Sequence, residues 1–223
     1  MRIFRNVNSV LASNTYILSE DFESMVYVVD PGDVMPIFDW LNNFGKCIGG
    51  IILTHSHYDH IYGINELLQS FPKCKLFIEK KMHQGLSSDK LNTSFYHEKP
   101  YVINNEFKKN IIEVKEFNRY FLWKNVYFSI MYTPGHTPDS ISIKLNQFLF
   151  CGDALIPGMK TYRVKNSNLI DINKSIDKIC TTLPIDTVLL PGHGEYCDLY
   201  NLKFVNKFIK TEPSFGFSEF IFN

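Results

Sequence analysis

The chain has 223 residues, 45% of them hydrophobic, and its 23 Lys and Arg balance 23 Asp and Glu. That length suits one domain with a full core, read here as residues 1–223. The even charge offers no basic face for nucleic acid or a membrane surface. No run approaches the ~18 apolar residues that a bilayer span requires.

The first residues, Met1 to Asn8, alternate apolar and polar like a strand and lack the apolar stretch of a signal peptide. The five cysteines (Cys47, Cys74, Cys151, Cys180 and Cys197) are odd in number and form no C-x-x-C pair. They suit small core positions in a reducing compartment, so the expectation is a soluble cytoplasmic protein.

In chain order, strand-like runs cover 2–7, 14–19 and 25–29. The third enters Val29-Asp30-Pro31-Gly32-Asp33, a tight turn that opens a helix over 34–44. The apolar run Gly50-Ile51-Ile52-Leu53 reads as a buried parallel strand. Ile61, Ile64, Leu67 and Leu68 behind it fall at helical spacing. A strand follows near 75–79, and residues 80–110 read mainly as loop. Further strands are expected at about 111–117, 126–132, 140–145, 147–151 and 187–190. Helices fit 172–181, with Asp171 as a cap, and 199–210. Two blocks of strands, each with helices, suggest two packed sheets covered by helices outside.

Chemistry concentrates at strand ends. Thr54-His55-Ser56-His57-Tyr58-Asp59-His60 places three imidazoles and a carboxylate between an expected strand and its helix. Nitrogen and oxygen donors of this kind suit zinc. His136 in Thr133-Pro134-Gly135-His136-Thr137 follows the strand 126–132. Asp153 in Cys151-Gly152-Asp153 follows 147–151, and His193 in Pro191-Gly192-His193-Gly194 follows 187–190. Each lies beside Gly or Pro, which let the backbone turn sharply and hold a side chain over the sheet edge. His83 and His97 do not follow strands in this way and read as loop or surface residues.

The set T-H-S-H-Y-D-H, T-P-G-H-T, C-G-D and P-G-H-G, with the earlier V-D-P-G turn at Val29 to Gly32, resembles the metallo-β-lactamase superfamily in motif order. The resemblance implies an α/β fold, an αββα sandwich of two mixed β-sheets with helices on the outer faces. It implies two divalent metal ions, Zn2+ first, with Fe or Mn also accommodated. His55, His57 and His136 would hold one, Asp59, His60 and His193 the other, and Asp153 would bridge them. Asp30 reads either as a residue that positions the histidine loop or as a helix-opening cap.

Asp59, His60 and Asp153 at the second metal, with no cysteine, match the glyoxalase II-like and lactonase-like branches. Compact hydroxyacylglutathione hydrolase-like proteins are the nearest likeness. This implies zinc-activated water cleaving a small thioester, ester or lactone, with Asp59 as a catalytic proton carrier. Two departures stand out. Only 30 residues follow His193, where the full-length family has a helical domain, and Lys160-Thr161-Tyr162-Arg163 replaces the G-R-T-D of many short relatives.

Alternatives of the same fold are a mononuclear iron persulfide dioxygenase using His55, His136 and Asp153, and a phosphodiesterase. A fold that has lost its chemistry is a further alternative. The expected partner is a small-molecule substrate, without nucleic acid or membrane, in a monomer or homodimer. Substrate contacts are expected from residues 85–101, with Phe95, Tyr96 and Tyr101, and from 157–168, with Lys160, Tyr162, Arg163 and Lys165. The tail residues Phe215, Phe217, Phe220 and Phe222 could line the groove, seal a dimer or pack back on the domain.

Overall fold

The structure is a computed structural model, and it describes residues 1–159, 161 and 164–201. Six strands form the first sheet in chain order: β1 (Arg2–Val7), β2 (Asn14–Ser19), β3 (Met25–Val29), β4 (Cys47–Ile52), β5 (Lys75–Glu79) and β6 (Ile111–Val114). β1 to β3 are antiparallel, and β3 to β6 run parallel. The second sheet has the order β12-β11-β10-β9-β8-β7. Its members are β7 (Tyr120–Trp123), β8 (Val126–Tyr132), β9 (Ile141–Leu145), β10 (Phe148–Gly152), β11 (Val188–Pro191) and β12 (Cys197–Asp198). Only β10 and β11 pair in parallel there.

Parallel neighbours need a crossover, and the helices supply it. α1 (Val34–Phe44) joins β3 to β4, α2 (Ile64–Ser70) joins β4 to β5, and α3 (Met82–Leu86) lies between β5 and β6. α4 (Leu169–Thr182) carries the chain from β10 to β11. α1 buries Ile37 and Leu41, and α2 buries Ile64, Leu67 and Leu68, all within the main core.

The two-residue period of β10 divides its side chains between two layers. Phe148 and Phe150 enter the main core, whereas Leu149 and Cys151 join Leu189 and Ile179 of α4 in a second cluster. The sheets meet through Phe77 on Phe128 and Tyr16 on Phe150, with ring centroids 5.4 and 5.3 Å apart. Polar tips find partners across the seam. Tyr27 donates to the Leu122 carbonyl at 2.6 Å, and the Trp123 indole donates to the Met25 carbonyl at 2.9 Å.

The expected elements form with adjustments. β7 has no counterpart among the expected strands; Tyr120 to Trp123 pair with β8 across a tight turn in which Asn125 takes φ +66°. The strand expected over 111–117 stops at Val114, because Asn118 N–H closes a turn on the Lys115 carbonyl. α4 begins at Leu169 rather than 172. Its cap is Asn168, whose side chain accepts from the Ile170 and Asp171 N–H groups, so Asp171 is not the cap. Within 80–110, α3 and 3-10 turns at Ser94–Tyr96 and Asn105–Asn110 replace plain loop. Cys47 is exposed and no disulfide forms, so the small-core reading fails for that cysteine. Of the helix expected over 199–210, residues 199–201 are helical and the remainder lies outside the described residues, as do Phe215, Phe217, Phe220 and Phe222. Among the described residues, no helix is long and apolar enough to cross a membrane.

Phe150 is fully buried at the seam, so Phe150→Ala is expected to cost ~3–5 kcal/mol in urea denaturation. Phe117→Ala, at a residue 92% exposed, should stay within about 0.5 kcal/mol of the parent.

Candidate metal centre

The parallel registers bring the motifs to one edge. Val29 pairs with Ile52 and Ile52 with Phe77, so the turns that leave β3 and β4 lie side by side. In the other sheet Gly152 pairs with Pro191, which sets the loops of Asp153 and His193 together. The loop between β8 and β9 carries His136, and Ile141 N–H bonds to the Thr54 carbonyl at 2.8 Å, joining the sheets at that edge. Carboxyl ends of strands in α/β sheets are where ligands collect.

All seven donors meet there. The ligand atoms of His55, His57 and His136 lie within 4.8 Å of one another, and so do those of Asp59, His60 and His193. His136 Nε2 is 2.9 Å from His57 Nδ1. His193 Nε2 and His60 Nε2 are each 3.2 Å from Asp59 Oδ2. Asp153 stands between the trios, with Oδ2 3.4 Å from Nε2 of both His136 and His193 and Oδ1 3.6 Å from His60 Nε2.

The outer nitrogens fix which way the rings face. His136 Nδ1 donates to the Thr161 carbonyl at 2.8 Å, and His193 Nδ1 to the Leu11 carbonyl at 3.1 Å. The single Thr54 hydroxyl proton goes to Asp30 Oδ2 at 2.5 Å, so His55 Nδ1, 3.1 Å from that hydroxyl, must be the donor. His60 Nδ1 donates to the same Asp30 oxygen at 3.2 Å. Four imidazoles thus turn Nε2 inward, where each can offer a lone pair to a cation once that nitrogen carries no proton.

Asp30 also lies within cation-site range of His55 and His60. Its oxygens already accept from Thr54 N–H at 2.8 Å, from the Thr54 hydroxyl and from His60. It therefore holds the histidine loop and is not the cap of α1, whose N-terminal flanking residue is Asp33.

His55 Nε2, His60 Nε2 and Asp153 Oδ1 are buried without a hydrogen-bond partner. Buried polar atoms are seldom left so, and lone pairs converging on one centre fit a bound cation. Burial works against charge on His60, yet Asp59, Asp153 and Asp30 hold its pKa well above the usual imidazole value. His193 behaves likewise: burial opposes, and bonds to Asp153 and Asp59 raise it to about 9. Burial would raise the Asp59 and Asp153 carboxyls, but His60 and His193 hold both well below the usual range. His55 and His57 move down through burial and then neighbouring imidazoles, His57 to about 4.

Several supporting residues carry no sequence motif. Ser13 Oγ donates to the Asp59 carbonyl at 2.7 Å. Asn14 holds the last loop, donating to the Pro191 and Gly194 carbonyls at 3.0 and 2.9 Å. Tyr16 donates to Pro191 as well, at 2.7 Å. Among the expected substrate residues, Phe95, Tyr96 and Lys165 are exposed. Tyr101, expected beside them, is instead buried in the main core. Lys160, Tyr162 and Arg163 lie outside the described residues. His97 stacks on Tyr58 at 4.5 Å, and His83 pairs with Glu113 at 3.0 Å.

Residues 10–193 match the family model described as the metallo-beta-lactamase superfamily. The chain belongs to the metallo-β-lactamase superfamily. It shares the hydrolase class of that superfamily and has the histidine and aspartate clusters that can hold its metal ions. It is 32% identical over 202 residues to a hydroxyacylglutathione hydrolase of Salmonella arizonae, covering 89% of this chain and 69% of that one. A Streptococcus pyogenes protein named "Probable metallo-hydrolase" is 28% identical over 218 residues, covering 93% and 90%. Among solved structures, the BLEG-1 B3 metallo-β-lactamase superposes with a TM-score of 0.82 at 23% identity, covering 93% of this chain and 99% of that one.

Two outcomes follow, the first of them for the metal-free protein. His193 is raised from 6.5 to about 9, so its favourable contribution is full below about pH 6.5 and lost as pH rises through about 9. The difference in urea midpoint between wild type and His193→Gln should therefore shrink across that window. A Cβ at Gly192 would sit 2.1 Å from Asp153 Oδ1 and 2.8 Å from His60 Cε1. Gly192→Ala should then cut hydrolase turnover about a hundredfold with far-UV circular dichroism unchanged.

Proposed function

We propose that the chain is a dinuclear metal-dependent hydrolase of small thioesters or esters, lactones included as cyclic esters. The observation that carries this reading is the pair of inward-facing donor trios on either side of the Asp153 carboxylate. His55, His57 and His136 would hold one divalent cation and Asp59, His60 and His193 the other, with Asp153 between them. Imidazole and carboxylate donors suit zinc, and iron or manganese accept the same set. Such a pair, when bound, supplies Lewis acidity that lowers the pKa of a coordinated water toward neutrality and polarises a carbonyl oxygen.

The chain's own groups divide the remaining work. Asp30 and Thr54 hold His55 and His60 by their outer nitrogens, so the inner ones cannot turn away. Asp59 stays ionised beside His60 and His193. It accepts the proton that attacking water gives up and returns it to the leaving sulfur or oxygen. Water adds to the acyl carbon, the acyl–sulfur or acyl–oxygen bond breaks, and the products are a carboxylic acid and a thiol or alcohol. The similarity to a hydroxyacylglutathione hydrolase supports a thioester first. The exposed side chains of Phe95 and Tyr96, in a loop tied to the site through the Tyr58 N–H to Asn92 carbonyl bond at 2.8 Å, offer an apolar wall for the acyl group.

Elemental analysis alongside a thioester and lactone panel tests the reading. About two zinc ions per chain and thioester turnover are expected; a single iron with sulfur oxygenation would replace it with the persulfide reading. His57→Ala should abolish turnover and lose a cation while the fold survives. Because bonds to Asp153 and Asp59 raise His193 to about 9 in the metal-free protein, Zn2+ uptake at pH 7 should release about one proton from it, read by a dye in weak buffer. Apparent zinc affinity should rise with pH and level off above about 9.

A further inference from the structure

Ser56 sits between His55 and His57 but faces elsewhere. The backbone at His57 has polyproline-II geometry (φ −67°, ψ 148°), in which successive side chains turn by about a third of a circle. The Ser56 hydroxyl donates to Asp139 Oδ2, and both residues are buried. Asp139 is three positions beyond His136 on the loop between β8 and β9. The bond therefore joins the loop that supplies two histidines of one trio to the loop that supplies the third.

Both ends of this tie are held. The β8–β9 loop is braced by Thr137 and Ser140, whose hydroxyls lie 2.6 Å apart, and by Gly135 N–H on the Thr137 carbonyl at 3.1 Å. On the other side α3 presses a bare glycine on the bond: a Cβ at Gly85 would sit 1.9 Å from Ser56 Oγ. A cavity of about 240 Å³ is lined by Glu79, Lys81, Pro138 and Asp139 among others.

We propose that Asp139 is a positioning residue. Acting through Ser56, it sets the spacing of His55 and His57 against His136 and thereby the affinity of that trio for its cation. It touches neither substrate nor cation. This rests on the dinuclear reading above, and it concerns one of the two cations only.

The test is competition of the folded protein with a chromophoric chelator for Zn2+, together with the visible spectrum of the Co2+-loaded form. Ser56→Ala and Asp139→Ala should each bind one cation as wild type does and the other about tenfold to a hundredfold more weakly, with an altered Co2+ spectrum. Asp139→Asn keeps an acceptor for the Ser56 hydroxyl and should restore both affinity and spectrum. The double alanine variant should be no weaker than either single one, because one bond is removed in all three. Wild-type affinity in the alanine variants overturns the proposal. So does an equal loss at both cations, or an asparagine variant as weak as alanine. If Ser56→Ala does not fold, Asp139→Ala and Asp139→Asn decide alone. Failure of the dinuclear reading shows separately, as two cations retained by His57→Ala.

Discussion

One carboxylate organises the site. Asp30 takes the Thr54 N–H and hydroxyl and the His60 imidazole, three donors from a single loop, at the point where β3 ends. Thr54 passes the restraint on to His55. Without that anchor, a loop with six buried polar side chains would have to satisfy its outer atoms in some other way, at ~1–3 kcal/mol for each one left unpaired. Asp30 itself adopts φ +50°, a backbone region that aspartate tolerates better than most residues. Local strain is accepted where it turns the carboxylate onto its neighbour strand.

That geometry depends on strand order. Asp30 and Thr54 are 24 positions apart, and they meet only because β3 and β4 are parallel and adjacent. The same holds in the other sheet, where the β10–β11 pair sets Asp153 beside the His193 loop. Each parallel pair is made by a helical crossover, so α1 and α4 serve the site through connectivity although neither supplies a donor. Burial then sharpens the charges. Asp59 and His60 favour each other's charged form there, while burial and neighbouring imidazoles push His55 and His57 toward neutral.

The donors themselves were legible in the sequence. All seven stand next to Gly, Pro or one another at the ends of apolar runs, a pattern that needs no knowledge of contacts. Asp30 was half legible: its turn was plain, but whether it faced the helix or the histidines depended on a neighbouring strand. Ser56 and Asp139 could not be paired, because 83 residues separate them and neither carries a pattern of its own. Ser13, Asn14 and Tyr16 were hidden for the same reason. β7 went unseen, since Tyr120 to Trp123 show no clean alternation and a two-residue turn without glycine marks their end. Tyr101 looked like a substrate contact because it shares a loop with Phe95 and Tyr96, and sequence alone does not say which rings of a loop turn inward.

The grip of Asn14 and Tyr16 on the loop of His193 bears on synthesis. Asn14 and Tyr16 receive a segment made 177 and 175 positions later. A chain still emerging from the ribosome holds the earlier donors but lacks their closing partner. Chemical competence therefore waits until β11 has been made and the loop that follows it reaches β2.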